Sequence, residues 1–247
     1  MDQNIIVREA TPDDKKYAET ITTEMAESAK ARGTGIAKRS PEYIQMKMEE
    51  GKAVIAVTTD GTWVGFCYIE AWEHEKYVAN SGLIVAPAFR KSGVAKEIKN
   101  KVFELSRKKF PDAKIFGLTT GLAVMKINSD LGYEPVTYSE LTNDEEFWKG
   151  CRSCVNYEIL MSKDRKNCMC TAMLYDPVEK AAEAAAKAAA AVPLPQITPK
   201  EEFARYSKTY ERFMRLKQFV MLEGWKKKEG DGEEPRKSSI LSFLFFW

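Results

Sequence analysis

Apolar positions along this chain alternate between two rhythms. Ile5-Ile6-Val7 is a β-branched run that predicts a first strand. Thr11-Pro12-Asp13-Asp14 then reads as a helix start, with a capping hydroxyl, a proline in the first turn and acids near the positive end of the helix dipole; the helix runs to about Arg32. Ser40-Pro41-Glu42 repeats that signal, and Tyr43, Ile44, Met46 and Met48 supply the apolar positions of a second helix. In "KAVIAVTTDGTWVGFCYIEAW" an Asp60-Gly61 turn separates two strands, a hairpin pattern, and "YVANSGLIVAP" is a further strand stopped by Pro87. Helical spacing returns at Val94, Ile98, Val102, Phe103 and Leu105 and ends before Pro111. "AKIFGLTT" predicts a strand, "GLAVMKINSDLG" a short helix closed by Gly132, and "VNYEILM" (155–161) a late strand in a hairpin with "CMCTAMLY". The order β-αα-βββ-α-β-α-β predicts an α/β domain over residues 1–176.

After Pro177 the pattern changes. Residues 177–199 are rich in alanine, lysine and glutamate and are broken by prolines, a spacer with helical preference. Phe203, Tyr206, Tyr210, Phe213, Leu216, Phe219 and Val220 then recur at helical spacing among basic residues, predicting an amphipathic helix over 200–228. That face either packs on its own domain or a sister subunit, as in a homodimer, or meets a partner or membrane surface; residues 229–247 read as a docking or disordered tail.

Composition narrows the classes. With 38 basic and 36 acidic residues the net charge is only +2, so no global electrostatic case for nucleic acid exists. Five cysteines and no amino-terminal apolar signal fit a reducing cytoplasm, and no apolar window is long enough to span a membrane.

The chemistry-bearing stretch is "GLIVAPAFRKSGVAKEI". Gly93 and the small Ala95, in Arg90-Lys91-Ser92-Gly93-Val94-Ala95 at the mouth of a helix, let successive backbone N–H groups converge on an anion. Taken alone, R-x-x-G-x-A is equally an ordinary helix start with a surface arginine. After the Val85-Ala86-Pro87 strand end it resembles the pyrophosphate loop of the GNAT acyltransferases, a likeness that extends to the element order over residues 4–162. That resemblance implies a mixed central sheet flanked by helices, with a C-terminal helical extension, and acetyl-CoA or another acyl-CoA as co-substrate without a metal. It would pair Leu83, Ile84 and Val85 with the pantetheine arm and hold the diphosphate at Arg90, Lys91, Ser92, Gly93, Val94 and Ala95, with Lys96 behind them. It also implies an oxyanion donor in the middle of the fourth strand, at Ser81, and a proton donor four residues before Gly132-Tyr133. That position is Asn128, which can donate a hydrogen bond but cannot act as a general acid near neutral pH. Glu70 and Glu73 are alternative water-linked bases or solvated edge residues, and His74 between two acids reads as a surface turn residue.

On the acceptor side, "GIAKRSPEYI", Leu118-Thr119-Thr120 and "GYEPVTYSELTNDEEFWKGCRSC" are similar to segments of the acyltransferase domain of N-acetylglutamate synthases. The resemblance implies transfer of an acetyl group to the α-amino group of an amino acid, glutamate first, as in the opening step of arginine biosynthesis. Acceptor contacts would come from Lys38, Arg39, Cys67, Leu118, Thr119, Arg152 and Ser153. Cys67 is equally a small buried hydrophobe, and Arg39 has a surface ion pair with Glu42 as its plain alternative. Cys151 and Cys154 stand where that family has basic residues, and no kinase domain with an arginine feedback site is expected. Two other readings are a GNAT enzyme for another amine and a non-catalytic CoA-binding scaffold. Finally, Cys151-x-x-Cys154 and Cys168-x-Cys170 have the spacing of a four-thiolate zinc site. The expected hairpin would set Cys154 and Cys168 about 20 Å apart, which argues against one coordination sphere; no metal is expected, and zinc at these cysteines stays the lesser alternative because the hairpin is itself inferred.

Overall fold

The computed structural model describes residues 4–33, 37–191 and 211. Apart from Glu211, the segments expected as the 200–228 helix and the 229–247 tail lie outside the described residues, as do Thr34, Gly35 and Ile36. Residues 1–187 form one unit, built on a seven-stranded sheet.

The strands are β1 (Ile5–Glu9), β2 (Ala53–Thr58), β3 (Trp63–Trp72), β4 (Tyr77–Val85), β5 (Lys114–Thr119), β6 (Glu134–Val136) and β7 (Thr171–Tyr175), in the order β1-β2-β3-β4-β5-β7-β6. All neighbours are antiparallel except β4 and β5, which run parallel and pair only at Tyr77–Lys114, Val78–Ile115 and Ala79–Phe116. Beyond that register the two strands part. β4 goes on pairing with β3 and β5 with β7, which leaves an opening at the centre of the sheet.

Helices cover both faces. α1 (Ala18–Arg32) and α2 (Pro41–Glu49) bury Ala18, Ile21, Met25, Ile44 and Met48 against Ile55, Phe66, Tyr68 and Ile84. α3 (Val94–Lys109) packs Val94, Ile98, Val102 and Leu105 against Val54, Cys67, Val78 and Ile115 on the opposite face. Ile98 and Val102 are wholly buried, and each such side chain stabilises the fold by about 1.5–3 kcal/mol. α4 (Leu122–Asp130) follows β5, and α5 (Glu145–Lys149) and α6 (Tyr157–Ser162) close the β7 end over Phe116, Tyr138, Leu141 and Leu174. α7 (Pro177–Ala191) runs through the alanine-rich segment.

The helix starts at Thr11 and Ser40 are as expected from their chemistry. Ser40 Oγ accepts from Tyr43 N–H (3.3 Å). Asp14 Oδ2 accepts from Thr11 N–H (2.8 Å) and both Asp14 oxygens receive the Arg8 fork (2.6 and 2.8 Å). Burial pushes the Asp14 carboxyl up, but the Arg8 and Thr11 donors outweigh it and leave the pKa below the ordinary range. Asp14→Asn should therefore lower stability by about 1–2 kcal/mol at neutral pH. A depressed folded pKa contributes stability above the ordinary aspartate value and loses it as the pH falls, so urea melts should show the deficit shrinking below about pH 4.

One element differs from the sequence expectation. "VNYEILM" is α6, not a strand; of its apolar residues only Leu160 is buried, whereas Val155, Ile159 and Met161 are exposed. A short apolar run has no decisive period, and the place beside β5 is taken by Thr171–Tyr175, whose Ala172, Met173 and Leu174 all bury. The expected hairpin around Ser162–Asn167 is absent, and with it goes the distance argument that separated Cys154 from Cys168.

Candidate active site

At the end of β4 the chain passes through a 3-10 turn at Pro87–Phe89 and enters α3. Lys91 (φ +66°) and Gly93 (φ +91°) both adopt the left-handed conformation, which turns neighbouring N–H groups toward one concave side. Among the described residues the backbone N–H groups of Lys91, Ser92, Gly93, Val94 and Ala95 have no hydrogen-bond acceptor, and open space surrounds Gly93 where a Cβ would stand. Unpartnered donors at the positive end of a helix suit a diphosphate. The Arg90 side chain turns the other way: its guanidinium donates to Val85 O (3.1 Å), Glu24 Oε1 (2.7 Å) and Ser28 Oγ (2.6 Å), tying the loop to α1. Lys96 is exposed and reaches Asp130 on α4 (3.3 Å).

The β4–β5 opening leads inward from this loop. Gly82 (φ +65°) makes the irregularity in β4 where its pairing with β3 shifts; a Cβ there would fall on Met25 and Tyr68. Leu83 is half-buried, and Ile84 and Val85 are buried. Ser81 lies just before this irregularity, paired with Tyr68, and its carbonyl accepts from the Cys67 thiol (3.3 Å). Across the opening Asn128 is buried on α4. Its Nδ2 faces Met173 Sδ (3.7 Å) and its Oδ1 has no partner. Gly117 of β5 lies between the two sides, since a Cβ there would sit 3.8 Å from Asn80 O and 3.9 Å from Asn128 Nδ2.

Under the opening lies a network that the sequence reading missed. The buried Lys99 ammonium donates to Asn80 Oδ1 (3.1 Å), which also accepts from Tyr133 OH (2.9 Å), while Asn80 Nδ2 donates to Ser106 Oγ (2.8 Å). No carboxylate pairs with Lys99 among the described residues. Burial lowers its pKa to about 8 and pushes the nearby Cys67 thiol up to about 11. The available signal was spacing: Lys99 lies on the same apolar stripe of α3 as Val102 and Ser106.

On the α1–α2 face, Arg39 is half-buried and donates through Nη2 to the buried Glu70 (2.9 Å) and through Nε to Tyr68 OH (3.1 Å). Tyr43 OH donates to the same Glu70 oxygen (2.5 Å), and the Arg39 guanidinium lies 5.0 Å from the Tyr43 ring centre. Burial works against the Arg39 charge, yet Tyr68 and Glu70 outweigh it and the pKa is raised. Arg39 thus pairs with Glu70 and not with Glu42. Lys38 is exposed, and its N–H donates to Ser153 Oγ (3.2 Å), bringing the loop before α2 to the turn at Gly150–Ser153. Cys67 is fully buried on the opposite, α3 face of the sheet. Leu118 and Thr119 stand half-buried at the end of β5, and Arg152 is exposed beside Glu145, Lys149 and Arg165. Glu73 accepts from Thr142 Oγ1 (2.7 Å) and Asn143 N–H (2.6 Å), which fastens the β3–β4 turn, and His74 (φ +53°) is exposed in that turn. Among the described residues no helix is long and apolar enough to cross a membrane.

Residues 23–123 match the model of the Acetyltransferase (GNAT) family. No curated protein sequence matches the chain significantly. Solved structures resemble it at low identity. Rv2747 from Mycobacterium tuberculosis, in complex with CoA and NLQ, is 17% identical with a TM-score of 0.50, covering 69% of this chain and 98% of that one. N-acetylglutamate synthase from Neisseria gonorrhoeae, complexed with coenzyme A and N-acetyl-glutamate, is 15% identical with a TM-score of 0.49; the likeness covers 71% of this chain and only 36% of the synthase. A phosphinothricin acetyltransferase from Sinorhizobium meliloti, in complex with AcCoA, is 15% identical with a TM-score of 0.47, covering 70% and 88%. The family match runs from α1 through the parted strands and the anion loop into the start of α4, and over residues 23–123 the chain is similar to the acetyltransferase domains of the GNAT family.

Proposed function

We propose that the domain transfers an acetyl group from acetyl-CoA to the α-amino group of an amino acid, with glutamate as the favoured acceptor. The observation that carries the reading is the opening between β4 and β5, with unpartnered N–H groups of Lys91 to Ala95 at one end and the Lys38, Arg39 and Ser153 contacts on the acceptor side. Bound there, acyl-CoA supplies an activated thioester. The chain's own residues hold and orient: the Lys91–Ala95 amides take the diphosphate, the β4 edge at Leu83–Val85 aligns the pantetheine amides, and a backbone N–H in the Ser81 region of β4 donates to the oxyanion. Asn128 can orient but not protonate the leaving thiolate, so its proton comes from water or from the attacking amine.

The test is product formation from acetyl-CoA and glutamate, read as free CoA and as the N-acetyl product by mass spectrometry. Absence of turnover with every amino acid would sink the reading. Gly93→Val separates the two ends of the site. A β-branched residue at φ +91° is strained and crowds the N–H cradle, so the acetyl-CoA KM should rise about tenfold while the acceptor KM stays near its original value.

A second reading is favoured by the Arg39–Glu70 pair. A guanidinium already neutralised by a buried carboxylate has less to offer an acidic acceptor, and Glu70 with the two tyrosines suits a cationic amine instead. A screen of amines beside amino acids distinguishes the two.

A further inference from the structure

Four of the five cysteines meet at one place. Cys151, Cys154, Cys168 and Cys170 line a single pocket together with Leu118, Tyr138, Asn156, Tyr157 and Leu160, beside the start of β7. Two separate segments bring them there. Cys151 and Cys154 lie in and just after the 3-10 turn at Gly150–Ser153, where Cys154 N–H donates to Cys151 O (2.9 Å). Cys168 and Cys170 precede β7 on the return from α6, held by Tyr138 OH donating to Cys170 O (2.8 Å) and by the Cys168 thiol facing Asn156 O (3.8 Å).

We propose that these four thiols are the ligands of a structural zinc ion that clamps the Gly150–Ser153 turn to the start of β7. The spacing is C-x2-C-x13-C-x-C, two short chelating pairs separated by one helix. The Asn156 N–H donates to Cys154 Sγ (3.4 Å), two residues after the cysteine. A backbone donor aimed at sulfur is of little use to a neutral thiol, but it stabilises a thiolate and fixes its direction, as outer donors do around metal-bound ligands. A divalent cation held by the four sulfurs displaces the thiol protons to solvent.

Among the described residues the side chains do not already converge as a coordination sphere. Binding therefore requires the side chains to rotate about Cα–Cβ until each sulfur stands about 2.3 Å from a shared centre. Four thiolates and no other donor select a tetrahedral, soft-ligand metal, which argues for zinc over calcium or magnesium. The Cys67 thiol lies on the α3 face and takes no part.

The test uses the full chain prepared in zinc-containing medium without chelator. Elemental analysis should find about one zinc per chain. Stepwise titration of the native protein with a mercurial should release that zinc as the thiols are consumed, detected by a metallochromic dye. Cys154→Ser and Cys168→Ser should each lose most of the bound zinc. If these variants do not fold, the titration of the unaltered protein still decides. Zinc-free protein whose four thiols alkylate freely in the native state overturns the proposal, as does a Cys151–Cys154 disulfide in protein isolated under reducing conditions.

Discussion

Arg39→Ala is expected to lower stability by about 3 kcal/mol and, in the same protein, to raise the KM of the acceptor with little change in that of acyl-CoA. The stability term follows from Glu70. Its side chain is 4% exposed, and the Arg39 guanidinium, 18% exposed, is its one cationic partner among the described residues. Removing Arg39 leaves a buried carboxylate with only the Tyr43 hydroxyl, and an uncompensated buried charge of this kind costs about 3–5 kcal/mol, less where water can reach the gap. Urea melts of Arg39→Ala, Glu70→Gln and the double variant make a cycle: the double variant should recover much of the loss, because it removes the charge that Arg39 balanced. The kinetic term separates the two acceptor readings. Glu70→Gln frees the guanidinium while keeping its neighbours in place, so an acidic acceptor should bind more tightly and its KM fall. A cationic acceptor would lose its counter-charge and its KM rise. If Arg39→Ala moves only the acyl-CoA KM, the loop before α2 serves the other ligand.

The contrast between the two halves of the site shows what was legible in the sequence. The anion loop could be read from Arg90 to Ala95 because its work is done by backbone: a glycine at φ +91° before a helix is a local device, and local devices leave local patterns. Even there, the direction of the Arg90 side chain toward Glu24 and Ser28 depends on α1, more than sixty residues earlier, and was not readable. The acceptor side could be read only as a set of residue types. That Arg39 meets Glu70 and Tyr68, and not Glu42 three residues on in α2, is a tertiary fact set by packing of the loop before α2 against β3. The "VNYEILM" segment failed for a related reason. Its period is ambiguous, and what decided the matter was competition for the edge of β5 by Thr171–Tyr175, whose small and apolar residues fit both faces there. That single misplacement also put Cys154 and Cys168 far apart, although they line one pocket.

Lys99→Met is expected to stabilise the protein, an unusual direction for a buried substitution. Lys99 is 2% exposed and its ammonium has Asn80 Oδ1 and the Tyr133 ring for company, with no carboxylate partner among the described residues. Burial takes its pKa from 10.5 to about 8, so carrying the charge at neutral pH costs the folded state on the order of 3 kcal/mol. Methionine fills a similar volume without that cost, and Asn80 Oδ1 keeps the Tyr133 hydroxyl as its donor. The pH dependence has a definite sign. Between about pH 8 and 10.5 the unfolded chain still binds the lysine proton and the folded chain has released it, so the stability of the unaltered protein rises with pH relative to the variant. The advantage of Lys99→Met should thus be full at pH 7, shrink through that window and vanish above it. Cys67 and Tyr133, the titratable side chains facing Lys99, titrate in both proteins and largely cancel in the difference. Paired urea melts at pH 7, 8, 9 and 10 read this directly; a variant less stable at pH 7, or a difference that ignores pH, would mean that Lys99 is not held as an unpaired charge. The cost falls beside the opening where β4 and β5 part, and activity of the same stabilised variant tells whether the fold carries that cost for the sake of the reaction.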